Sequence, residues 1–253
     1  MTEKIAWRRM HMINPLIVIP ARKASTRLPN KILADICGKP MIYHVIDRAR
    51  ETSIKDIIVA CDNLEYKQII ENYGAIAIMT DPGLSSGSDR AFFGAESFDP
   101  EKKFDTIVCL QGDVPFINPS SVDKAVELMR HNNFHITTIA APMPNDVDPS
   151  SDSVVKIAMN ETTGKAYYFS RSLIPYGDLP KWYHIGVYVY NRKALAQYVR
   201  LPQSSLEITE RLEQLRAIEA CMEIGVSIVN DIPISVDVHA DLEKAIAFYQ
   251  NTL

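Results

Sequence analysis

Leu16-Ile17-Val18-Ile19-Pro20-Ala21-Arg22-Lys23-Ala24-Ser25-Thr26-Arg27-Leu28-Pro29-Asn30-Lys31 opens as an apolar, β-branched run and breaks abruptly into a cationic loop. A continuous apolar run is the pattern of a parallel strand buried on both faces. The carboxyl end of such a strand is where open α/β sheets bind ligands. Arg22, Lys23, Arg27 and Lys31 fall within ten residues, with Pro29 stiffening the turn. This clustering implies a compact polyanion, a nucleoside triphosphate above all; the plainer alternative is a solvated basic turn. The chain as a whole carries a formal charge of -4, so the cluster is local. That balance argues against a general nucleic-acid binder, which shows a broad positive field.

The 253 residues suffice for one large α/β domain with its own core, and 1–253 is read as such. Residues 1–12 form a short extension ahead of the first strand, expected to be mobile. Cys37, Cys61, Cys109 and Cys221 are scattered without metal-ligand spacing. Cys61 and Cys109 end apolar runs and read as small buried side chains. A reducing, cytoplasmic setting fits. No apolar run reaches the length of a membrane span, and no signal-like segment follows the N-terminus.

Outward from the first strand, helix-like and strand-like segments alternate. Helices are expected over Pro40–Arg50, Leu64–Tyr73 and Asp89–Ser97, and strands over Asp56–Cys61, Ala75–Met79 and Asp105–Leu110. Serial βα units predict a mostly parallel, mixed central sheet flanked by helices. The second half adds strands at Ile136–Ala141, Val154–Met159, Ala166–Phe169, Tyr183–Tyr190 and Val226–Val229. Asn160-Glu161-Thr162-Thr163-Gly164 signals a hairpin, so a smaller antiparallel excursion is expected over about 160–185. Leu206–Glu223 reads as the longest helix, Val236-Asp237-Val238 as the last strand pattern, and Asp241–Leu253 as the final helix.

Gln111-Gly112-Asp113 sits at the carboxyl end of a buried strand, so Asp113 projects toward the cationic loop if the two strands are neighbours. Asp237 lies between two valines, a costly place for an acid unless it is paired or metal-bound. Together they offer two hard oxygen ligands to one Mg²⁺; the alternative is that Asp113 caps a turn and Asp237 a helix. Ser85-Ser86-Gly87-Ser88-Asp89-Arg90 leads a loop into a helix start and suits a base or phosphate, or a simple cap. Arg90 either bonds a base carbonyl or pairs within the protein. The fork of Arg171 suits a carboxylate, and His184 suits a sugar hydroxyl. Glu213 and Gln214 read as helix-surface residues on spacing alone. No G-x-G-x-x-G follows the first strand, which disfavours a dinucleotide dehydrogenase.

These residues carry a resemblance. Ile-Pro-Ala-Arg-x-x-Ser-x-Arg-Leu-Pro-x-Lys at 19–31, Gly-Lys-Pro-Met-Ile at 38–42 and Ser-Gly-Ser-Asp-Arg at 86–90 resemble the 3-deoxy-manno-octulosonate (KDO) cytidylyltransferase family. So do Gln-Gly-Asp at 111–113, Tyr-Phe-Ser-Arg at 168–171, Leu-Glu-Gln-Leu-Arg at 212–216 and Val-Asp at 236–237. The similarity spans about Leu16 to Phe248. It implies a nucleotide-diphospho-sugar transferase fold, transfer of CMP from CTP to an acidic eight-carbon sugar for lipopolysaccharide synthesis, a Mg²⁺ cofactor and a homodimer. On that resemblance Arg22, Ser25, Arg27 and Lys31 hold the triphosphate, Ser86, Gly87 and Arg90 form the cytosine-side loop, and Gln111 completes the nucleotide-binding set. Asp113 and Asp237 are the metal ligands, catalytic together with Lys31 and Arg22. Arg171, His184, Glu213 and Gln214 face the sugar. The chain departs from the family pattern at Leu84, where the family has histidine, at Ser88 in place of threonine, and at Val114 in place of glutamate. Val238-His239-Ala240 likewise replaces Thr-Pro-Glu. KDO, its 8-amino analogue and another acidic sugar all remain open as the acceptor, and a nucleotide-binding module without chemistry is the alternative of another class.

Overall fold

The computed structural model describes residues 12–23 and 27–252. The expected mobile extension therefore lies, apart from Met12, outside the described residues, as does Ser25. The first strand, β1 (Pro15–Ala21), pairs in parallel with β4 (Ile57–Cys61) on one side and β6 (Thr106–Cys109) on the other. Its residues alternate between two cores. Ile17, Ile19 and Ala21 face one apolar cluster, and Leu16 and Val18 face the other. Burial on both faces is why the run is continuously apolar rather than alternating.

Between β1 and β4 come a tiny antiparallel pair, β2 (Asp35–Ile36) and β3 (Lys39–Pro40), and helix α1 (Met41–Arg50). Then follow α2 (Leu64–Asn72), β5 (Ile76–Met79) and α3 (Gly87–Phe98) before β6. Helix α4 (Pro119–His131), β7 (Ile136–Pro142), β8 (Lys156–Met159), β9 (Ala166–Ser170) and β10 (Trp182–Asn191) come next. The chain ends with α5 (Arg192–Tyr198), α6 (Ser205–Glu210), α7 (Gln214–Glu219), β11 (Ile224–Ile228) and α8 (His239–Thr252). The main path of the nine-stranded sheet runs β11-β7-β10-β6-β1-β4-β5, with β8 and β9 branching from β10. Only β10 runs against its neighbours on that path, antiparallel to β6 and β7.

This order has a functional consequence. The chain moves outward from β1 through β4 to β5, then crosses back through α3 to β6 on the other side of β1. The crevice at the carboxyl ends of β1 and β6 is thus a topological switch point, the place where open α/β sheets hold ligands. Helices α1, α2 and α4 supply one core and α3, α5 and α7 the other. A third, smaller cluster joins Leu242 and Ala245 of α8 to Ile36, Met41 and Val236.

The structure differs from expectation at four points. Leu206–Glu223 is not one helix: Arg211 adopts a left-handed backbone (φ 55°) and separates α6 from α7. Asp237 does not end a strand; it lies in an irregular segment that runs into α8. Helices α4 and α5 were not anticipated, although Asn118-Pro119 carries the signature of a helix start, an asparagine N-cap with proline at N1. The antiparallel excursion begins at Lys156, slightly earlier than expected, and joins the main sheet through pairing of β8 with β10.

Candidate active site

Lys31 lies just past the cationic loop, at the start of a 3₁₀ turn (Lys31–Leu33). The loop is fixed there by Asn30, which tolerates a left-handed backbone (φ 53°) and accepts a 3.1 Å hydrogen bond from the Tyr66 hydroxyl. Lys31 Nζ donates to Asp113 Oδ2 at 2.6 Å and to Asp237 Oδ1 at 2.9 Å. Arg27 approaches the same Asp237 oxygen at 3.2 Å. Burial opposes the Lys31 charge, but the two carboxylates outweigh it and hold its pKa above the ordinary lysine value.

Two acids 124 positions apart in sequence order meet here for backbone reasons. Gly112 lets the end of β6 press against β1, since a Cβ there would lie 2.9 Å from the Pro20 carbonyl oxygen. The amide of Val236 donates to the Asp113 carbonyl at 2.9 Å, lacing the final segment to that turn. Asp241, in the first turn of α8, then accepts from the amides of Asp237 and Val238.

A cleft of about 460 Å³ opens over this cluster, lined among others by Arg22, Arg27, Lys31, Ser86, Gly87 and Gln111. Ser86 is the N-cap of α3, accepting from the Asp89 amide in a capping box, so the cap reading and the cleft reading hold together. A Cβ at Gly87 would lie 3.0 Å from the Gln111 amide nitrogen, so the glycine leaves that side chain its place beside the helix start. Arg90 borders the cleft but is 1% exposed. Its guanidinium pairs with Asp62 at 3.3 Å and donates to Thr80 Oγ1 at 2.6 Å. Lys23 turns aside, its amide donating to Asp62 and its ammonium near Glu65.

A second cleft of about 490 Å³ shares Gly87, Gln111, Asp113, Glu213 and Asp237 with the first and extends to Arg171, His184 and Gln214. Arg171 follows β9; its Nε donates to the Glu210 carbonyl and its Nη1 to the Asp152 carbonyl at 2.6 Å. Gln214 Nε2 is buried with no hydrogen-bond partner among the described residues, a donor set in the cleft wall. Sequence reasoning missed Arg211, an exposed cation on this cleft whose left-handed residue breaks the helix. It also missed Lys156, fully buried beneath. Lys156 Nζ donates to the carbonyls of Ser151 at 2.9 Å, Val154 at 2.7 Å and Arg171, gathering the loop that also anchors the Arg171 guanidinium.

His184 is held neutral. Burial pushes its pKa down to about 3. Thr138 Oγ1 gives its single proton to the Val187 carbonyl at 2.7 Å, so it accepts from His184 Nε2–H at 3.0 Å. That assigns the tautomer from the network and leaves Nδ1 an acceptor. On unfolding the imidazole regains a pKa of about 6.5 and takes up a proton below it, so its contribution to stability falls as pH drops from there toward 3. Urea midpoints should show this residue removing about 2 kcal/mol between pH 7 and pH 5. His184→Asn should lose correspondingly less over that interval; an unchanged acid slope in the variant would contradict a buried neutral imidazole.

Two hard carboxylate oxygens converging on one cation suit Mg²⁺, which takes one or two protein carboxylates beside substrate phosphates and water. Among the described residues no group of three or more His, Cys, Asp or Glu side chains could hold a metal. A divalent ion here would therefore rest on Asp113 and Asp237 together with oxygens from outside the chain.

A switch-point crevice rimmed by cations, with paired acids at its floor, defines a nucleotidyltransferase-type site, and comparison with known proteins agrees. The family described as Cytidylyltransferase matches residues 16–225. A Methylobacterium radiotolerans protein named 3-deoxy-manno-octulosonate cytidylyltransferase is 45% identical over 242 residues, covering 94% of this chain and 98% of its own length. A Brucella anthropi protein of the same name is 43% identical over 240 residues, covering 93% and 96%. The solved structure of CMP:2-keto-3-deoxy-manno-octonic acid synthetase complexed with CTP superposes with a TM-score of 0.87 at 36% identity, over 94% of this chain and 99% of that one. The chain belongs to the 3-deoxy-manno-octulosonate cytidylyltransferase family. A Bacillus anthracis thymidylyltransferase structure, 16% identical with a TM-score of 0.67, shares the fold alone.

Proposed function

We propose that this chain transfers CMP from CTP to the anomeric hydroxyl of KDO, giving CMP-KDO and pyrophosphate for lipopolysaccharide synthesis. The observation that carries the reading is the convergence of Lys31, Asp113 and Asp237 where two contiguous clefts meet. In the first cleft Arg22, Arg27 and Lys31 hold the triphosphate, and Ser86, Gly87 and Gln111 flank the nucleoside. In the second, Arg171 faces the sugar carboxylate, while His184 Nδ1, Glu213 and Gln214 Nε2 meet hydroxyl groups. The shared wall brings the anomeric oxygen up to the α-phosphorus.

The reaction is an in-line displacement. A bond forms from the anomeric oxygen to the α-phosphorus, the bond to the β-phosphate oxygen breaks, and the hydroxyl proton leaves to solvent. Positioning and charge neutralisation supply most of the acceleration in such chemistry. Lys31 and Arg22 balance the charge that builds on departing pyrophosphate. Mg²⁺ on Asp113 and Asp237 would neutralise phosphate charge and lower the pKa of the attacking hydroxyl.

The same reading places the chain in the cytosol, where its four free cysteines stay reduced; no described helix is long and apolar enough to cross a membrane. It also makes the chain a homodimer, with Leu173, Tyr176 and Leu179, exposed between β9 and β10, as apolar side chains for a second copy to cover. The decisive experiment incubates the purified protein with CTP, Mg²⁺ and either KDO or its 8-amino analogue, following pyrophosphate and product mass. One pyrophosphate per CMP-KDO is expected. Turnover of the analogue alone would move the substrate assignment, and binding of CTP without turnover of either sugar would overturn the enzyme reading.

A further inference from the structure

Ser88 sits in the first turn of α3, on the nucleotide side, yet its side chain is fully buried. Its hydroxyl lies 2.6 Å from Glu213 Oε1 and 2.8 Å from the Tyr190 hydroxyl. Proton accounting fixes the direction. A carboxylate only accepts and a serine has one proton to give. Ser88 therefore donates to Glu213, and the Tyr190 phenol donates to Ser88 Oγ. The Tyr198 hydroxyl holds the same residue from behind, donating to the Glu213 carbonyl at 2.9 Å. Glu213 Oε2 has no hydrogen-bond partner among the described residues, and Glu213 lines both clefts. Burial raises the Glu213 pKa, and the Ser88 hydrogen bond works against that rise by favouring the carboxylate.

We propose that Ser88 is a positioning residue for the sugar. Through the Tyr190-Ser88-Glu213 chain it fixes one carboxylate oxygen so that the other meets a sugar hydroxyl, joining the α3 turn of the nucleotide cleft to the second cleft. The inference rests on reading that second cleft as the sugar compartment. It also gives a role to a small side chain that the nucleotide reading leaves unassigned.

The test is steady-state kinetics on Ser88→Ala, Ser88→Thr, Glu213→Ala and the Ser88→Ala/Glu213→Ala double variant, varying KDO and CTP separately. Losing one charge-assisted hydrogen bond should raise the KM for KDO by about tenfold in Ser88→Ala. The KM for CTP should stay within about twofold, and Ser88→Thr, which keeps the hydroxyl, should restore the KDO value. The double variant should be no worse than Glu213→Ala, because neighbours acting through one group are not additive. An additive double variant, or an unchanged KDO KM in Ser88→Ala beside a raised one in Glu213→Ala, overturns the role of Ser88 and leaves the sugar reading standing. An unchanged KDO KM in Glu213→Ala overturns both. Should Ser88→Ala fail to fold, Tyr190→Phe decides: it keeps the ring in the core and should raise the KDO KM about threefold, and no rise overturns the proposal.

Discussion

Asp113→Asn should fold normally and release pyrophosphate on the order of 10²–10³-fold more slowly than the parent chain, the size of effect seen when one oriented charge-stabilising group is lost. The side chain lies at the cleft floor, 23% exposed, so an amide of the same shape leaves the apolar clusters untouched. What changes is charge. Lys31 loses its shorter partner, at 2.6 Å, and retains Asp237 at 2.9 Å. The oxygen pair that suits a divalent ion is reduced to one carboxylate and a neutral carbonyl, a weaker hard-ligand set. Thermal unfolding should move little, and that separates this outcome from simple destabilisation. Pyrophosphate release at the parent rate would remove Asp113 from the machinery, and with it the reading of the paired acids.

The two carboxylates were legible for different reasons. Asp113 follows a run buried on both faces, and β6 pairing beside β1 delivers it to the cationic loop by sheet geometry alone. Asp237 was recognisable as an isolated acid between valines, but its element was misread. The segment makes no strand; it is placed by one amide donated to the Asp113 carbonyl and by the start of α8. The break at Arg211 left no trace in the sequence, because the apolar spacing continues through it and the left-handed residue is not glycine. That break makes Glu213 the N-cap residue of α7 and brings it into the cleft wall instead of leaving it on a helix surface. Ser88 and Glu213 are separated by 125 positions, and nothing in either local sequence announces the bond between them. Periodicity reports which faces are buried; it is silent on which polar atoms meet across the fold.

Arg90 shows the same limit from the opposite side, and its replacement should produce the largest loss of stability among the changes considered. Arg90→Met should cost about 3–5 kcal/mol, because removing one partner of a buried ion pair strands the other. The Arg90 and Asp62 side chains are 2% and 4% exposed, and the guanidinium also donates to Thr80 Oγ1 and to the Asp81 carbonyl. These contacts tie α3 to the ends of β4 and β5, so the strain falls on the framework under the first cleft. For a chain of this length such a loss lowers Tm by roughly 10 °C or more. Adding Asp62→Leu to Arg90→Met should recover much of it, since exchanging a buried pair for apolar groups removes the unpaired charge. Calorimetry separates this role from base recognition. A ligand-contacting arginine would leave the Tm of the free protein nearly unchanged on substitution and raise the KM for CTP, whereas the framework role requires the Tm loss and its recovery in the double variant. Recovery of Tm together with a parent-like KM for CTP in the double variant would leave Arg90 the framework role alone.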